Sequence, residues 1–186
     1  MDKINQAFLE IDRINFVPDS LKDKAYQDRP LPIGYGQTIS QPTTVKLMLE
    51  WLDARQGNKV LDVGSGSGWT TALLSNIVGA LGFVDAVEII PELLRFGKTN
   101  CQKLNIYNIK FYLGNSDIHV LPNKAPYDRI LVSAFANHMP SELLSQLKIG
   151  GKMVIPIKND VLEIRKKSEK KYIKITHPGF IFVPLI

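Results

Sequence analysis

Three glycines at alternate positions, Gly64, Gly66 and Gly68, stand in the run KVLDVGSGSGW, between an apolar stretch that reads as a strand and the start of a helix. Glycine allows a turn tight enough for backbone to approach a ligand, and the amides that open a helix add a favourable field for bound polar groups. Twenty residues past Gly68, Glu88 closes the next strand, where a carboxylate can accept hydrogen bonds from both hydroxyls of a ribose. Strand, glycine turn, helix and acid together point to a nucleotide-like cofactor. The spacing is Gly-x-Gly-x-Gly, whereas dinucleotide sites use Gly-x-Gly-x-x-Gly and seat a pyrophosphate on the helix N-terminus. Asp62, two residues before the first glycine, suits an ammonium group. Asp62, Gly64, Ser65, Gly66 and Gly68 therefore favour S-adenosylmethionine, which carries no phosphate, over a dinucleotide. The competing reading is a glycine-rich turn with an incidental acid at Glu88. Asn115, in Gly114-Asn115-Ser116 after the third strand of the series, falls where the adenine would lie, although the same tripeptide is an ordinary turn.

The elements that must position these residues follow from periodicity. Ile4, Ala7, Phe8 and Ile11 form one apolar stripe at helical spacing. Pro18 to Pro42 is an irregular stretch too long for a simple connector, and Leu31, Ile33, Tyr35 and Ile39 argue that it packs on the domain. Val45, Met48, Leu49 and Leu52 restore the helical period, with Ser40 placed to cap that helix and Pro42 tolerated in its first turn. Strands at 59–63, 82–88, 109–113, 128–133 and 152–157 then alternate with helices at 70–78, 92–104 and 141–147. This alternation predicts an α/β fold with a mostly parallel sheet covered on both faces. Beyond Ile157 the runs VLEIRKK, KYIKI and FIFVPLI leave no room for helices and predict antiparallel strands added to the sheet.

Length and composition bound the remaining possibilities. The chain has 186 residues, 45% hydrophobic and 22% charged, which fits one soluble globular domain over 1–186. Its expected parts are an N-terminal helix, loop and capping helix (1–57), a cofactor-binding core (58–157) and C-terminal strands (158–186). One cysteine excludes an intramolecular disulfide framework, and the charged N-terminal segment lacks the features of a secretion signal. The expected location is the cytoplasm, with no membrane partner. The net charge of +5 is concentrated between Arg165 and Lys174, where six basic residues face Glu169 alone. That run reads as a solvated hairpin turn, and no nucleic-acid partner is expected. His119, His138 and His177 have no ligand spacing, so no metal site is expected. Cys101 reads as a buried small hydrophobe, and Trp51 and Trp69 as packing residues.

The loop RPLPIGYGQTISQP (29–42), the helix after it and LDVGSGSGW resemble the protein-L-isoaspartate O-methyltransferase family. The likeness continues in order through VEIIPEL, PYDRILVSA, LKIGGKMVIPI and the terminal FVPL, with GQTIS as its most distinctive segment. The resemblance implies a Rossmann-like class I S-adenosylmethionine-dependent methyltransferase. Such an enzyme methylates L-isoaspartyl and some D-aspartyl residues in damaged proteins and peptides, starting repair through a succinimide. It implies Ser40 as the catalytic residue. Gly64 to Gly68, Glu88 and Asn115 would hold the cofactor, and Gln37, Thr38, Ile39, Ser40 and Val183 would border the substrate. From the residues alone, Ser40 could equally be only a helix cap. Asn115 stands where many members carry Asp, no His occurs near Thr43, and VSAFAN replaces a more usual Ala-rich segment at the pocket rim. A specialised paralogue or a non-catalytic peptide-binding adaptor on the same fold is the alternative, and a monomer is the expected state.

Overall fold

The computed structural model describes residues 2–114 and 121–184. Helix α1 (Lys3–Glu10) begins where the Asp2 carboxylate accepts the Asn5 amide at 2.8 Å, and its apolar stripe buries Ala7. Short 3-10 turns at Arg13–Phe16 and Asp19–Lys24 follow. The stretch expected to be irregular instead holds an antiparallel hairpin, β1 (Leu31–Gly34) and β2 (Gln37–Ile39), with Leu31 paired to Ile39. Its tip places Tyr35 at φ 56°, with the side chain exposed. Prolines at 30 and 32 hid this hairpin in the sequence, because proline is compatible with strands only at edges.

Helix α2 (Pro42–Leu52) then leads into β3 (Lys59–Val63), α3 (Trp69–Val78), β4 (Phe83–Glu88), α4 (Pro91–Lys103) and β5 (Ile109–Leu113). After the gap come β6 (Tyr127–Val132), α5 (Ser141–Gln146), β7 (Leu147–Ile157), β8 (Asp160–Ser168) and β9 (Lys171–Pro178). One sheet runs β5-β4-β3-β6-β7-β8-β9, parallel as far as β7 and antiparallel from there. Strand β3 is buried on both faces at Val60, Leu61, Asp62 and Val63, the pattern of a central parallel strand. Its side chains alternate: Val60 joins the apolar layer beneath the first four helices, and Leu61 and Val63 join the layer that includes Leu143 of α5.

Two expectations at the C-terminus are corrected. The described part of FIFVPLI, residues 180–184, forms no strand on the free edge of β9. The tail turns away at Gly179 and Phe180, whose amides donate to the Asn159 carbonyl at 3.1 and 3.0 Å, and runs back to an isolated parallel bridge between Phe135 and Pro184. The basic run does form the β8–β9 hairpin, but it is not wholly solvated. Lys166 is only 3% exposed, with its ammonium 3.5 Å from the Ser145 carbonyl and 3.0 Å from Glu169.

Candidate active site

Val63 lies level with Val87 of β4 and with Val132 of β6, so the loops that leave these three strands open side by side at one end of the sheet. Strand order reverses between β3 and β6, and a crevice forms at such a switch point. The cleft there takes in about 690 Å³, the solvent at its open mouth included.

The glycine loop forms its floor. Gly64 and Ser65 donate their amides to the Val87 carbonyl at 2.9 and 3.1 Å, and Gly68 closes the turn on the Ser65 carbonyl at 2.8 Å. Gly68 is the N-cap of α3 at φ 84°, a left-handed conformation that costs an L side chain roughly 1–2 kcal/mol. It does not line the cleft; it packs underneath, against α4. A Cβ built on Gly97 of α4 would lie 2.8 Å from the Gly66 carbonyl and 3.1 Å from the Gly68 nitrogen, so backbone meets backbone there. Cys101, beside Gly68, is buried with its thiol pushed up to about 12, chiefly by desolvation, so it stays protonated.

Glu88 reaches over this loop. Its carboxylate accepts the Gly66 amide at 2.8 Å and the Ile89 and Ile90 amides at 2.9 and 3.1 Å, which fixes its direction at the cleft wall. Asp62 does not reach the cleft. Strand alternation turns it under α3, fully buried, where it accepts the Thr71 hydroxyl at 2.6 Å. Burial raises its carboxyl to about 7, the charge of Glu88 pushes the same way, and the Thr71 bond opposes both. Its second oxygen and the hydroxyl of Ser65, which lies within the loop and lines the cleft, are buried without a hydrogen-bond partner.

The opposite wall is the β2 strand. Gln37, Thr38, Ile39 and Ser40 all border the cleft, and Ile33 of β1 reaches the Gly66 side of it. Ser40 is not the cap of α2: the N-cap is Gln41, without a side-chain bond of its own. The cap comes from outside the helix. Asp28 accepts the Thr43 amide at 2.9 Å, the Thr43 hydroxyl at 2.8 Å and the Gln41 amide group at 3.0 Å, which holds its carboxyl below the usual range. Local sequence rules cannot see a carboxylate that folds in from a distant turn. Asp28 thus occupies one of the amides that open α2, close in sequence to Ser40.

The rim is completed by the segment after β6 and by the tail. Ser133 and Ala134 line the cleft, and the Phe135 amide donates to the Val183 carbonyl at 2.9 Å, which brings Val183 and Pro184 to the mouth. Trp69 and Thr70, the first residues of α3, also face the cleft; position at the helix start was the available signal for them. Asn115 and His119 lie outside the described residues. His138 is exposed, and among the described residues no group of three or more His, Cys, Asp or Glu could hold a metal ion. His177 stacks on Trp51 at 3.7 Å, apart from the cleft lining.

The donor set fits S-adenosylmethionine. Among the described lining residues Glu88 is the only charged group and none is basic, so the cleft suits a cationic cofactor and lacks the cations that usually accompany a pyrophosphate. Glu88 offers a fixed carboxylate for a ribose diol. The buried, unpartnered Ser65 hydroxyl belongs to a residue that lines the cleft and is a polar group suited to the amino-acid portion.

Comparison with known proteins places this geometry in context. The protein-L-isoaspartate(D-aspartate) O-methyltransferase (PCMT) family matches residues 1–186. The Methanopyrus kandleri protein-L-isoaspartate O-methyltransferase is 44% identical over 189 residues, covering 100% of this chain and 84% of its own length. A solved protein-L-isoaspartate O-methyltransferase superposes with a TM-score of 0.91 at 30% identity over 99% of this chain; this chain spans 61% of that longer one. A Plasmodium falciparum structure described as a protein-L-isoaspartate O-methyltransferase, in complex with S-adenosyl-L-homocysteine, gives a TM-score of 0.85 at 28% identity, covering 100% of this chain and 91% of its own.

Proposed function

Because the chain belongs to the protein-L-isoaspartate(D-aspartate) O-methyltransferase family, we propose that it transfers the methyl group of S-adenosylmethionine to the free carboxylate of L-isoaspartyl, and some D-aspartyl, residues in damaged proteins. The ester then closes to a succinimide, and its hydrolysis restores some normal aspartate. The observation that carries this reading is the shared cleft: the GQTIS strand with Ser40 and the glycine loop with Glu88 face one another across it.

When bound, S-adenosylmethionine supplies an electrophilic methyl group on a sulfonium cation. The residues around it have little bond-making chemistry to perform. A carboxylate with a pKa near ~4 is already ionised at neutral pH, so no general base is required, and the described lining contains no His, Lys or Cys to act as one. Gly64, Ser65, Gly66 and Glu88 hold the cofactor, with Asp62 and Gly68 supporting the loop from below and Asn115 assigned to the adenine side. Gln37, Thr38 and Ile39 align the peptide, Ser40 donates its hydroxyl to the carboxylate, and Val183 closes the rim. Holding oxygen and methyl carbon in line is worth roughly 7–11 kcal/mol.

No helix among the described residues is long and apolar enough to cross a membrane. We read the chain as one methyltransferase domain over 1–186, cytoplasmic and monomeric, acting on isoaspartyl-containing peptides and proteins without nucleic-acid or membrane partners. The test is transfer of labelled methyl from S-adenosylmethionine to a short isoaspartyl peptide, with the aspartyl peptide as control. Base-labile label on the isoaspartyl peptide alone is expected; binding without ester would indicate an adaptor. Ser40→Ala removes a hydrogen bond to a charged group, so kcat/KM should fall about tenfold or more, with the Kd of S-adenosylhomocysteine kept within about twofold. Equal loss of both would make Ser40 a scaffold residue.

A further inference from the structure

Arg13 is 4% exposed and, among the described residues, makes no ion pair with a carboxylate. Its guanidinium instead gathers backbone. Nη1 donates to the carbonyls of Ala25 at 2.7 Å and Gln27 at 3.3 Å. Nη2 donates to Arg29 at 3.0 Å and Ser40 at 3.0 Å, with the Ile39 carbonyl at 3.5 Å. The same group lies over the Trp69 ring, 5.3 Å from its centroid. One side chain thus joins three pieces of the molecule: the turn at 25–29, the end of β2 that borders the cleft, and the first residue of α3 after the glycine loop.

A buried cation whose nearest counter-charge, Asp28, acts only through space and makes no ion pair with it is an expensive way to fill space, and apolar residues of similar volume often serve packing as well. What an apolar residue cannot do is draw carbonyls from two chain segments to one point. The planar fork of arginine is suited to that task, and the compact ammonium of lysine is not. The turn it binds also carries Asp28, which caps α2 at Thr43. The chain around Ser40 is therefore held at two points: Arg13 meets the Ile39 and Ser40 carbonyls that flank the Ser40 Cα, and Asp28 takes the Thr43 amide three residues on.

We propose that Arg13 is a positioning residue for methyl transfer, fixing the Ile39–Ser40 end of the substrate strand relative to Trp69 and the cofactor loop. The inference rests on the reading of Ser40 as the residue that meets substrate. Arg13→Lys keeps the charge and loses the fork; Arg13→Met keeps contact with Trp69 and loses every donor. In each variant three quantities are measured: amide hydrogen exchange at 37–40, the Kd of S-adenosylhomocysteine by calorimetry, and kcat and KM for the isoaspartyl peptide. In Arg13→Lys we expect faster exchange at 37–40 and a fall in peptide kcat/KM of about tenfold, with the S-adenosylhomocysteine Kd within about twofold of the parent. Arg13→Met should shift further in the same direction, and should it fail to fold, Arg13→Lys decides. Unchanged exchange and peptide kinetics in a folded Arg13→Lys would overturn the proposal, as would loss of S-adenosylhomocysteine affinity in step with activity. Failure of the parent to methylate isoaspartyl peptide would refute the functional reading instead, and exchange with S-adenosylhomocysteine binding would still decide the role of Arg13.

Discussion

Gly97→Ala sets helix propensity against close packing at the base of the cofactor loop. Gly97 lies inside α4, and replacing an interior helical glycine with alanine normally stabilises by about 0.8–1.0 kcal/mol. Here the new methyl would stand 2.8 Å from the Gly66 carbonyl oxygen, 3.1 Å from the Gly68 nitrogen and 3.2 Å from the Ser67 carbonyl carbon. All three neighbours are backbone, so no side chain can rotate away, and relief requires α4 and the loop to separate by several tenths of an ångström. Overpacking of this kind costs typically ~1–3 kcal/mol, which exceeds the propensity gain over most of that range. Net destabilisation of up to about 2 kcal/mol is expected. The displaced loop also carries the Gly66 amide that holds Glu88 at 2.8 Å, so the Kd of S-adenosylhomocysteine should rise about tenfold if roughly 1.4 kcal/mol of that displacement reaches the cleft. Urea unfolding and calorimetric titration measure both quantities on one preparation. A Gly97→Ala protein that is as stable as its parent and binds S-adenosylhomocysteine equally well would refute the claim that this contact sets the loop.

Asp62 should make its contribution to stability at low pH. A folded-state pKa raised to about 7 by burial, above an unfolded value near ~3.9, gives stability that is complete below about pH 4 and lost as the pH rises toward 7. Asp62→Asn is therefore expected to have a higher denaturant midpoint than the parent at pH 8 and to lose that advantage at pH 4; lower stability at pH 8 would contradict the assignment. Removing residues 183–186 takes Val183 and Pro184 from the cleft mouth and should raise the peptide KM about tenfold while sparing S-adenosylhomocysteine binding, as the loss of one apolar contact with the peptide implies. Replacing the exposed Lys167, Lys170, Lys171 and Lys174 with Gln should change stability by no more than about 0.5 kcal/mol and leave peptide kinetics within twofold; a salt-dependent loss of activity would move a partner onto the hairpin.

The half of the cleft formed by the glycine loop and Glu88 was legible in the sequence because its elements follow one another along the chain. Gly64 to Gly68 sit between a strand and a helix that periodicity marks clearly, and parallel register sets the Glu88 end of β4 beside the loop. Alternation along β3 also decides what spacing alone left open: Asp62 shares the face of Val60 and is turned beneath α3, so it supports the loop from below and does not line the cleft. The substrate half is built differently. Ser40 read as a helix cap because Ser before Pro42 satisfies a local rule, yet the cap is Asp28, 15 residues upstream of the Thr43 amide it accepts. Arg13 meets carbonyls between 12 and 27 residues away, and the tail at 180–184, apolar enough for a strand, instead meets Phe135 through Val183 and Pro184. None of these contacts leaves a periodic trace, because each joins segments whose proximity only the finished fold creates. The glycine loop is held by β4 and α4, members of the same alternating series that periodicity marks, whereas the strand proposed to meet the substrate is held from outside that series by Arg13 and Asp28. Substitutions at those two positions should therefore separate peptide selection from cofactor affinity, a separation that changes within the glycine loop cannot achieve.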